Sequence, residues 1–467
     1  MLFKQYSALS PSALWGVNAC GKELEEYLLA ADIGPCILPA MSIDQHAERL
    51  FFFCLVVAAS SALIARRRPG TGLIFQPLRL ASLCALALVL FSLPTFAVDD
   101  ERVAQFRAAN QGKIITVLGP IDAESAGITL PHEHFFLDLS LPFDDPDRWV
   151  RAGRRAPGGA EDRSVYDLEL KLDNWAEVYR VLWRTKDPLV LDDFDLAVEE
   201  AGAFKAAGGA TVIDVTSKGL GRDPERLALL ARRSGLHIVM GTGWYREGWR
   251  PIDFNGMNVD ELADDMVAEI VEGTGPDKIH AGVIGEIPAM DLATEPDSND
   301  VKQLRAAARA SVKTGAALTL HQWVGDGERL MKTLDILEAE GADLGRVIVG
   351  HVGGDAPDQL DILAAALARG VTLEFDLLGV AFLLAEKVSD TRGAADTVAA
   401  LVKQGYSDQL LLSQDVCTKT QLKAYGGNGY DYVLTEVVPY LKGIGVTDED
   451  VEKLLVANPA RLFSIAP

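Results

Sequence analysis

The chain has 467 residues, 49% hydrophobic and 24% charged, which is enough apolar material for one large core and an extra segment. Its net charge of -23 argues against a nucleic-acid partner, which would require a basic face. The same charge disfavours anionic lipid surfaces but leaves a small-molecule substrate open, because a site's charge need not follow the chain's.

Composition changes sharply near residue 98. Leu50 to Ala65 is an apolar run followed by Arg66-Arg67-Arg68, and a second run, Leu80 to Ala97, follows Arg79 and ends in Pro94-Thr95-Phe96-Ala97. A basic residue, an apolar stretch and small residues before a cut are the parts of a secretory signal. Residues 1–97 are therefore read as an N-terminal extension absent from the mature protein, and 98–467 as the mature domain, not embedded in a membrane. The expectation is an exported protein, periplasmic or secreted, with membrane anchoring by these runs as the alternative. The first run is short for a span, which needs ~20 apolar residues. No methionine lies between Met41 and Met240, which points to a non-ATG start near residue 70. Cys20, Cys36, Cys54 and Cys84 fall in the extension, so Cys417 stands alone and the domain expects no internal disulfide.

From residue 98 onward, strand-like and helix-like runs alternate. The predicted strands are Ile128–His132, Thr211–Val215, His237–Gly241, Ala281–Glu286, Ala317–His321, Arg346–His351, Thr372–Asp376 and Gln409–Asp415. Several are apolar on both faces, the mark of parallel strands covered on both sides. Predicted helices are Asp193–Ala206, Pro224–Ser234, Val301–Lys313, Asp326–Glu340, Asp358–Ala368 and Asp390–Gln404, each followed closely by a glycine stop. Eight strand-then-helix repeats predict the α/β class and a (β/α)8 TIM barrel. No G-x-G-x-x-G follows the first strand, so a dinucleotide fold has no support. A long insertion, Phe135 to Asp192, separates the first strand from its helix.

His132-Glu133-His134 closes the first strand, and residues two apart on a strand share a side, so both imidazoles can reach one metal ion. Only seven histidines exist; His321 and His351 end the fifth and sixth strands, Asp415 ends the eighth and Glu286 the fourth. On a barrel these ends meet at one mouth, which is where a zinc-type site would draw its imidazoles and carboxylates. His237 and His280 lie at strand starts, on the opposite face, and read as structural or exposed. Cys417 reads as a buried small apolar residue despite its closeness to Asp415.

The stretches Gly127–His134, Val212–Val215 with Gly221-Arg222-Asp223, Leu304–Gly315 running into His321, Val349-Gly350-His351, Ser413-Gln414-Asp415 and Asn458-Pro459-Ala460-Arg461 carry a resemblance. The sequence resembles the phosphotriesterase family (aryldialkylphosphatase-like) of the amidohydrolase superfamily over about residues 112–465. The resemblance implies two divalent metal ions, Zn2+ in the usual case, about 3.5–4 Å apart. It implies that His132, His134 and Asp415 hold the more buried ion and His321 and His351 the more exposed one. The bridge in many members is a carboxylated lysine; here the run Ala281-Gly282-Val283-Ile284-Gly285-Glu286 offers Glu286 instead. The resemblance further implies a homodimer and a metal-dependent hydrolase. A hydroxide shared by the ions would attack a lactone, carboxylic ester or phosphotriester, with Asp415 and Glu286 as the catalytic carboxylates.

Two alternatives stay open from the sequence: a non-catalytic metal-containing barrel that acts as a binding protein, and a mononuclear amidohydrolase or deaminase. Lactonase-like members often carry L-D-R after strand seven, whereas this chain has Phe375-Asp376-Leu377. The loop Trp244-Tyr245-Arg246-Glu247-Gly248-Trp249-Arg250 offers aromatic and cationic groups, either to grip a ring or an anion or to pack onto the barrel, and Lys218 is a further rim cation.

Overall fold

The computed structural model describes residues 98–467 except 290–291, 293–297, 323–326, 354–358, 381–382, 385–386 and 389. The expected extension, its two apolar runs and its four cysteines lie outside the described residues. Eight parallel strands form one sheet: β1 Thr129–Glu133, β2 Thr211–Asp214, β3 His237–Thr242, β4 Val283–Pro288, β5 Leu318–His321, β6 Val347–Val349, β7 Thr372–Phe375 and β8 Leu410–Leu412. They pair in sequence order from β1 to β8, with registers such as Leu130↔Val212, Val212↔Ile238 and Glu374↔Leu411. Ladder pairing does not join β8 to β1. That seam is closed by Asp415 N–H donating to His132 O at 3.3 Å and by Ser413, whose hydroxyl lies 3.1 Å from His132 N and 3.0 Å from His132 O.

The helices pack outside and begin and end where the local chemistry dictates. α1 Phe194–Ala206 is capped by Asp193, and α2 Pro224–Ser234 by Asp223 with proline in its first turn. Gly235 and Gly315, at φ 70° and 76°, stop α2 and α4 Asn299–Thr314 in the left-handed region that glycine adopts freely. Between these two lies α3 Val259–Val271, started by an Asn258–Glu261 capping box and absent from the predicted helices. α5 Gly327–Ala339, α6 Leu360–Ala368 and α7 Thr391–Lys403 follow in order. Alternate strand residues Ile213, Val215, Val239, Val283, Ala317, Ile348 and Leu411 form an apolar cluster with Ile114, Leu462 and Phe463. It fills the barrel interior below the strand ends.

The insertion after β1 carries three short helices, Pro146–Arg151, Ala160–Tyr166 and Trp175–Arg180. Its ends pair as Leu137–Asp138 against Val190–Leu191. It docks on the loop after β3: Arg148 Nε donates to Gly248 O at 2.9 Å, and Arg151 meets Glu247 at 3.3 Å. Gly248, at φ 99°, lies so close that a Cβ there would sit 2.7 Å from that of Ala152. No helix among the described residues is long and apolar enough to cross a membrane.

A buried ion pair ties α2's start to α3. Arg222 Nη2 and Nη1 donate to Glu269 at 2.7 and 2.8 Å, and Thr242 adds a hydroxyl at 2.5 Å. Burial opposes ionisation of Glu269, but Arg222 and Lys218 hold its pKa down to about 2. Its folded pKa is thus below its unfolded value, so this contribution is complete above roughly pH 4.5 and fades as the pH falls towards 2. Arg222→Met should cost about 3 kcal/mol near neutral pH, because it removes the two-pronged partner of a buried carboxylate and leaves it only Lys218 and the Thr242 hydroxyl. In urea denaturation the gap between wild type and variant should shrink at about pH 3; an equal gap at both pH values would refute the assignment.

Candidate metal centre

The strand ends bring six side chains together. His132 and His134 are both buried at the end of β1. His132 Nε2 lies 3.6 Å from Glu286 Oε2 and 3.9 Å from Asp415 Oδ1. His134 Nε2 lies 3.2 Å from Asp415 Oδ1 and 3.7 Å from Glu286 Oε1. On the outer side, His321 Nδ1 is 2.7 Å from both Glu286 Oε2 and His351 Nε2, and His351 Nε2 is 3.4 Å from Glu286 Oε2. Glu286 therefore faces all four imidazoles. Burial disfavours its charge, but His321 foremost holds its carboxyl well below the usual range.

His351 and Asp415 were expected inside strands β6 and β8. Instead β6 stops at Val349 and β8 at Leu412, and the two residues stand beyond them at φ 57° and 49°. Left-handed backbone is uncommon for residues with a Cβ and persists where surroundings impose it. For Asp415 the imposing group is Glu133, which reaches across the barrel seam. Its carboxylate accepts from Ser413 Oγ at 2.7 Å, from the backbone N–H of Gln414 and Val416 at 2.9 and 2.8 Å, and from Gln414 Nε2 at 3.2 Å. Burial pushes Glu133 up to about 7 against the pull of these donors.

The sequence reading missed the acids of β7. Glu374 Oε2 is 2.8 Å and Asp376 Oδ2 3.1 Å from His132 Nδ1. Asp376 Oδ1 is 3.1 Å from His351 Nδ1, and both its oxygens accept from the His351 backbone N–H. Burial disfavours protonation of His351, but Asp376 raises its pKa to about 10; burial pushes Glu374 up to about 7. With Nδ1 engaged, each Nε2 faces the centre, the arrangement by which carboxylates orient metal-binding histidines. The available signal was alternation: two acids two apart in the apolar run Thr372-Leu373-Glu374-Phe375-Asp376 share one face. His134 is oriented differently, by Thr216 Oγ1 at 2.9 Å from its Nδ1 and by Tyr430, whose hydroxyl donates to His134 O at 2.6 Å.

The residues fit divalent metal ions. Ligand atoms of His132, His134 and Asp415 lie within 4.8 Å of one another, as do those of His132, Glu286 and His351, and those of His132, Glu374 and Asp376. The third group engages the His132 Nδ1 side already described. His132 Nε2 is buried and has no hydrogen-bond partner among the described residues, which for an imidazole nitrogen surrounded by acids calls for a cation. Imidazole and carboxylate donors suit zinc and its neighbours in the first transition row.

The remaining predicted residues separate cleanly. Trp244, Tyr245 and Trp249 are buried, so the loop after β3 does pack onto the barrel; Tyr245 also meets His321 ring to ring at 4.9 Å, with its hydroxyl 3.5 Å from Nε2. Lys218 is paired with Asp265 and Glu269. His280 lies away from the centre, with Nδ1 2.9 Å from Ile270 O. Cys417 is a buried free thiol.

Gly350 sets the position of His351. A Cβ at Gly350 would lie 2.6 Å from Leu320 O and 3.1 Å from Asp376 Oδ2, so alanine must push β6 away from β5 or displace Asp376. Gly350→Ala is expected to lose about 1–3 kcal/mol of stability, the usual cost of overpacking a tight site. An unchanged urea midpoint would show that the backbone gives way freely there.

Comparison with known proteins agrees with this geometry. The phosphotriesterase family model matches residues 112–463. An N-acetyltaurine hydrolase of Dictyostelium discoideum is 31% identical over 371 residues, spanning 76% of this chain and 98% of the relative. The human N-acetyltaurine hydrolase is 31% identical, spanning 74% and 97%. Among solved structures, a resiniferatoxin-binding protein from Rhodobacter sphaeroides is similar with a TM-score of 0.67 and 34% identity, over 76% of this chain and 95% of that one. A phosphotriesterase homology protein from Escherichia coli, solved with phosphate in its active site, gives 0.58 and 27%, over 73% and 99%. These relatives correct the expectation of an exported, periplasmic or secreted protein. The N-acetyltaurine hydrolases come from Dictyostelium and vertebrates and match over nearly their full length, and they give no support to a signal ending near Ala97. From the barrel, the strand-end constellation and this match along the whole domain, the chain is a hydrolase and belongs to the phosphotriesterase family.

Proposed function

We propose that this hydrolase cleaves the amide bond of a small N-acylated amine at a binuclear metal centre. The observation that carries the centre is the buried Nε2 of His132, which has no hydrogen-bond partner among the described residues and lies among two acids and three further imidazoles. The choice of an amide is supported by relatives named N-acetyltaurine hydrolases, matched over nearly their full length. His132, His134 and Asp415 would hold one ion, His321 and His351 the other, and Glu286 would stand between them. Once bound, the ions, zinc in this reading, would lower the pKa of a water towards neutrality and polarise the scissile carbonyl.

The chain's own groups do the rest. Asp415, held by its left-handed backbone against His134, accepts the proton of the attacking water and returns it to the departing nitrogen. The C–N bond breaks as the new C–O bond forms, so the products are a carboxylic acid and an amine. Glu374 and Asp376 keep the imidazoles of His132 and His351 turned inward throughout. The ester, lactone and phosphotriester substrates remain the second reading. The phosphate in the Escherichia coli neighbour's active site favours phosphoryl groups among them, and the absence of arginine after Asp376 counts against lactones.

The full chain should bind two equivalents of zinc, lose amide hydrolysis on chelation and recover it when zinc is restored. His132→Ala should abolish turnover. One equivalent of metal, unaffected by Glu286→Ala, would sink the binuclear centre; hydrolysis of esters or phosphotriesters without amides would sink the amidase assignment. Asp376→Ala should weaken metal binding about 10- to 100-fold, as loss of an orienting carboxylate does, measured by competition with a chromogenic chelator.

A further inference from the structure

Two arginines, Arg154 and Arg246, pair with no acid among the described residues. Arg154, on the insertion after β1, holds its guanidinium between Trp183 and Trp249, 5.0 and 4.9 Å from their ring centroids. Its Nη1 is buried without a hydrogen-bond partner among the described residues. Arg246, in the loop after β3, is half-buried, and its guanidinium makes no hydrogen bond or ion pair among the described residues. Burial pulls the pKa of Arg154 down to about 10, and Arg246 adds to the pull, so the two charges sense each other.

Four neighbouring cations are matched by acids. Lys218 and Arg222 share Glu269, Arg250 meets Asp300 at 2.5 Å, and Arg151 meets Glu247 at 3.3 Å. Glu247, next in sequence to Arg246, is turned towards Arg151, Arg250 and Asn299 instead. A desolvated guanidinium beside a second one is unfavourable unless an anion completes the set.

The pair also borders the reaction centre. Trp249, under Arg154, packs edge-on against Tyr245 at 5.4 Å, and Tyr245 packs edge-on against His321 at 4.9 Å. Two rings in series, Trp249 and Tyr245, thus lie between Arg154 and the imidazole of His321, and Arg246 follows Tyr245 directly in the chain.

We propose that Arg246 and Arg154 form a subsite for an anionic group on the amine half of the substrate, with Tyr245 as the wall between that group and the scissile amide. This rests on the amidase reading above. The planar guanidinium fork matches a carboxylate or a sulfonate, both of which present oxygens in pairs. The substrate class is then an N-acylated amine bearing a sulfonate or carboxylate a short chain away from its nitrogen. In a chain of net charge -23 such an anion is drawn in by the local pair alone.

The test uses the zinc-loaded full chain. Calorimetric titration with ethanesulfonate and with propionate reads the subsite without turnover. Steady-state kinetics on N-acetyltaurine, N-acetyl-β-alanine and the neutral N-acetylethanolamine reads it through the ratio of kcat/KM, anionic over neutral. Arg246→Met should lower that ratio about 10- to 100-fold, chiefly through KM, as expected for loss of a hydrogen bond between charged groups. It should weaken anion binding in parallel, and Arg246→Lys should recover part of both. Arg154→Met should act in the same direction, and should it fail to fold, Arg246, on a half-exposed position, carries the test. Arg155→Met, at an exposed arginine paired with Asp162, should change neither readout. Stronger binding of ethanesulfonate than of propionate assigns a sulfonate, and the reverse a carboxylate. Equal turnover of neutral and anionic amides, or Arg246 variants that keep the ratio and the anion affinity, would overturn the subsite while leaving the amidase intact. If no amide is cleaved but ethanesulfonate binding depends on Arg246, the amidase reading falls and the anion site stands.

Discussion

The structure depends on how the barrel closes between its first and last strands. Backbone ladders join every other neighbouring pair, but at this seam a single backbone bond, Asp415 N–H to His132 O, is supplemented by one carboxylate, Glu133, and one hydroxyl, Ser413. Glu133 sits between His132 and His134 and gathers the N–H groups of Gln414 and Val416 around its oxygens. Those two residues flank Asp415. The contact that seals the fold is thus the contact that sets an acid beside two imidazoles, and the centre cannot form unless the barrel is closed.

A second layer of order comes from β7. Asp376 touches both His132 and His351, one on each side of the centre, while Glu374 adds to the hold on His132. Fixing an imidazole by its far nitrogen removes rotamer freedom before any ligand arrives, and it settles which nitrogen is offered. His321 is the exception: it turns Nδ1 inward and leaves Nε2 towards Tyr245. Its outward nitrogen meets a phenol in place of an acid, and it is the most accessible of the four imidazoles.

Much of the fold and of the centre was legible in the sequence because the barrel converts one-dimensional position into convergence. Once eight apolar runs are seen to alternate with helices, a residue at a strand's C-terminal end has only one place to go, and His132, His134, Glu286, His321, His351 and Asp415 all went there. Periodicity does not report how a chain leaves a strand, so the left-handed turns at His351 and Asp415 were not foreseen. Glu374 and Asp376 were hidden for a related reason: an acid inside an apolar run is costly, and only the neighbouring histidines explain it. α3 carries the same signal as the predicted helices, with Gly273 two positions after its last residue, Val271, as Gly208 stands two after Ala206, so it was overlooked although its pattern was present. The pairing of Arg154 with two tryptophans joins positions 29 and 95 residues apart, a relation no local pattern encodes.

The close approach of Gly248 to Ala152 has a practical meaning for redesign. The insertion and the loop after β3 meet backbone to side chain, with no room for even one methyl group, so they form a single interlocking rim above the strand ends. Grafting either loop alone from a homologous barrel would leave it facing the wrong counterpart. Transplanting the two as one cassette would exchange the walls of the cavity while leaving Glu133, Asp376 and the strand-end imidazoles in place, because none of those lies on the rim.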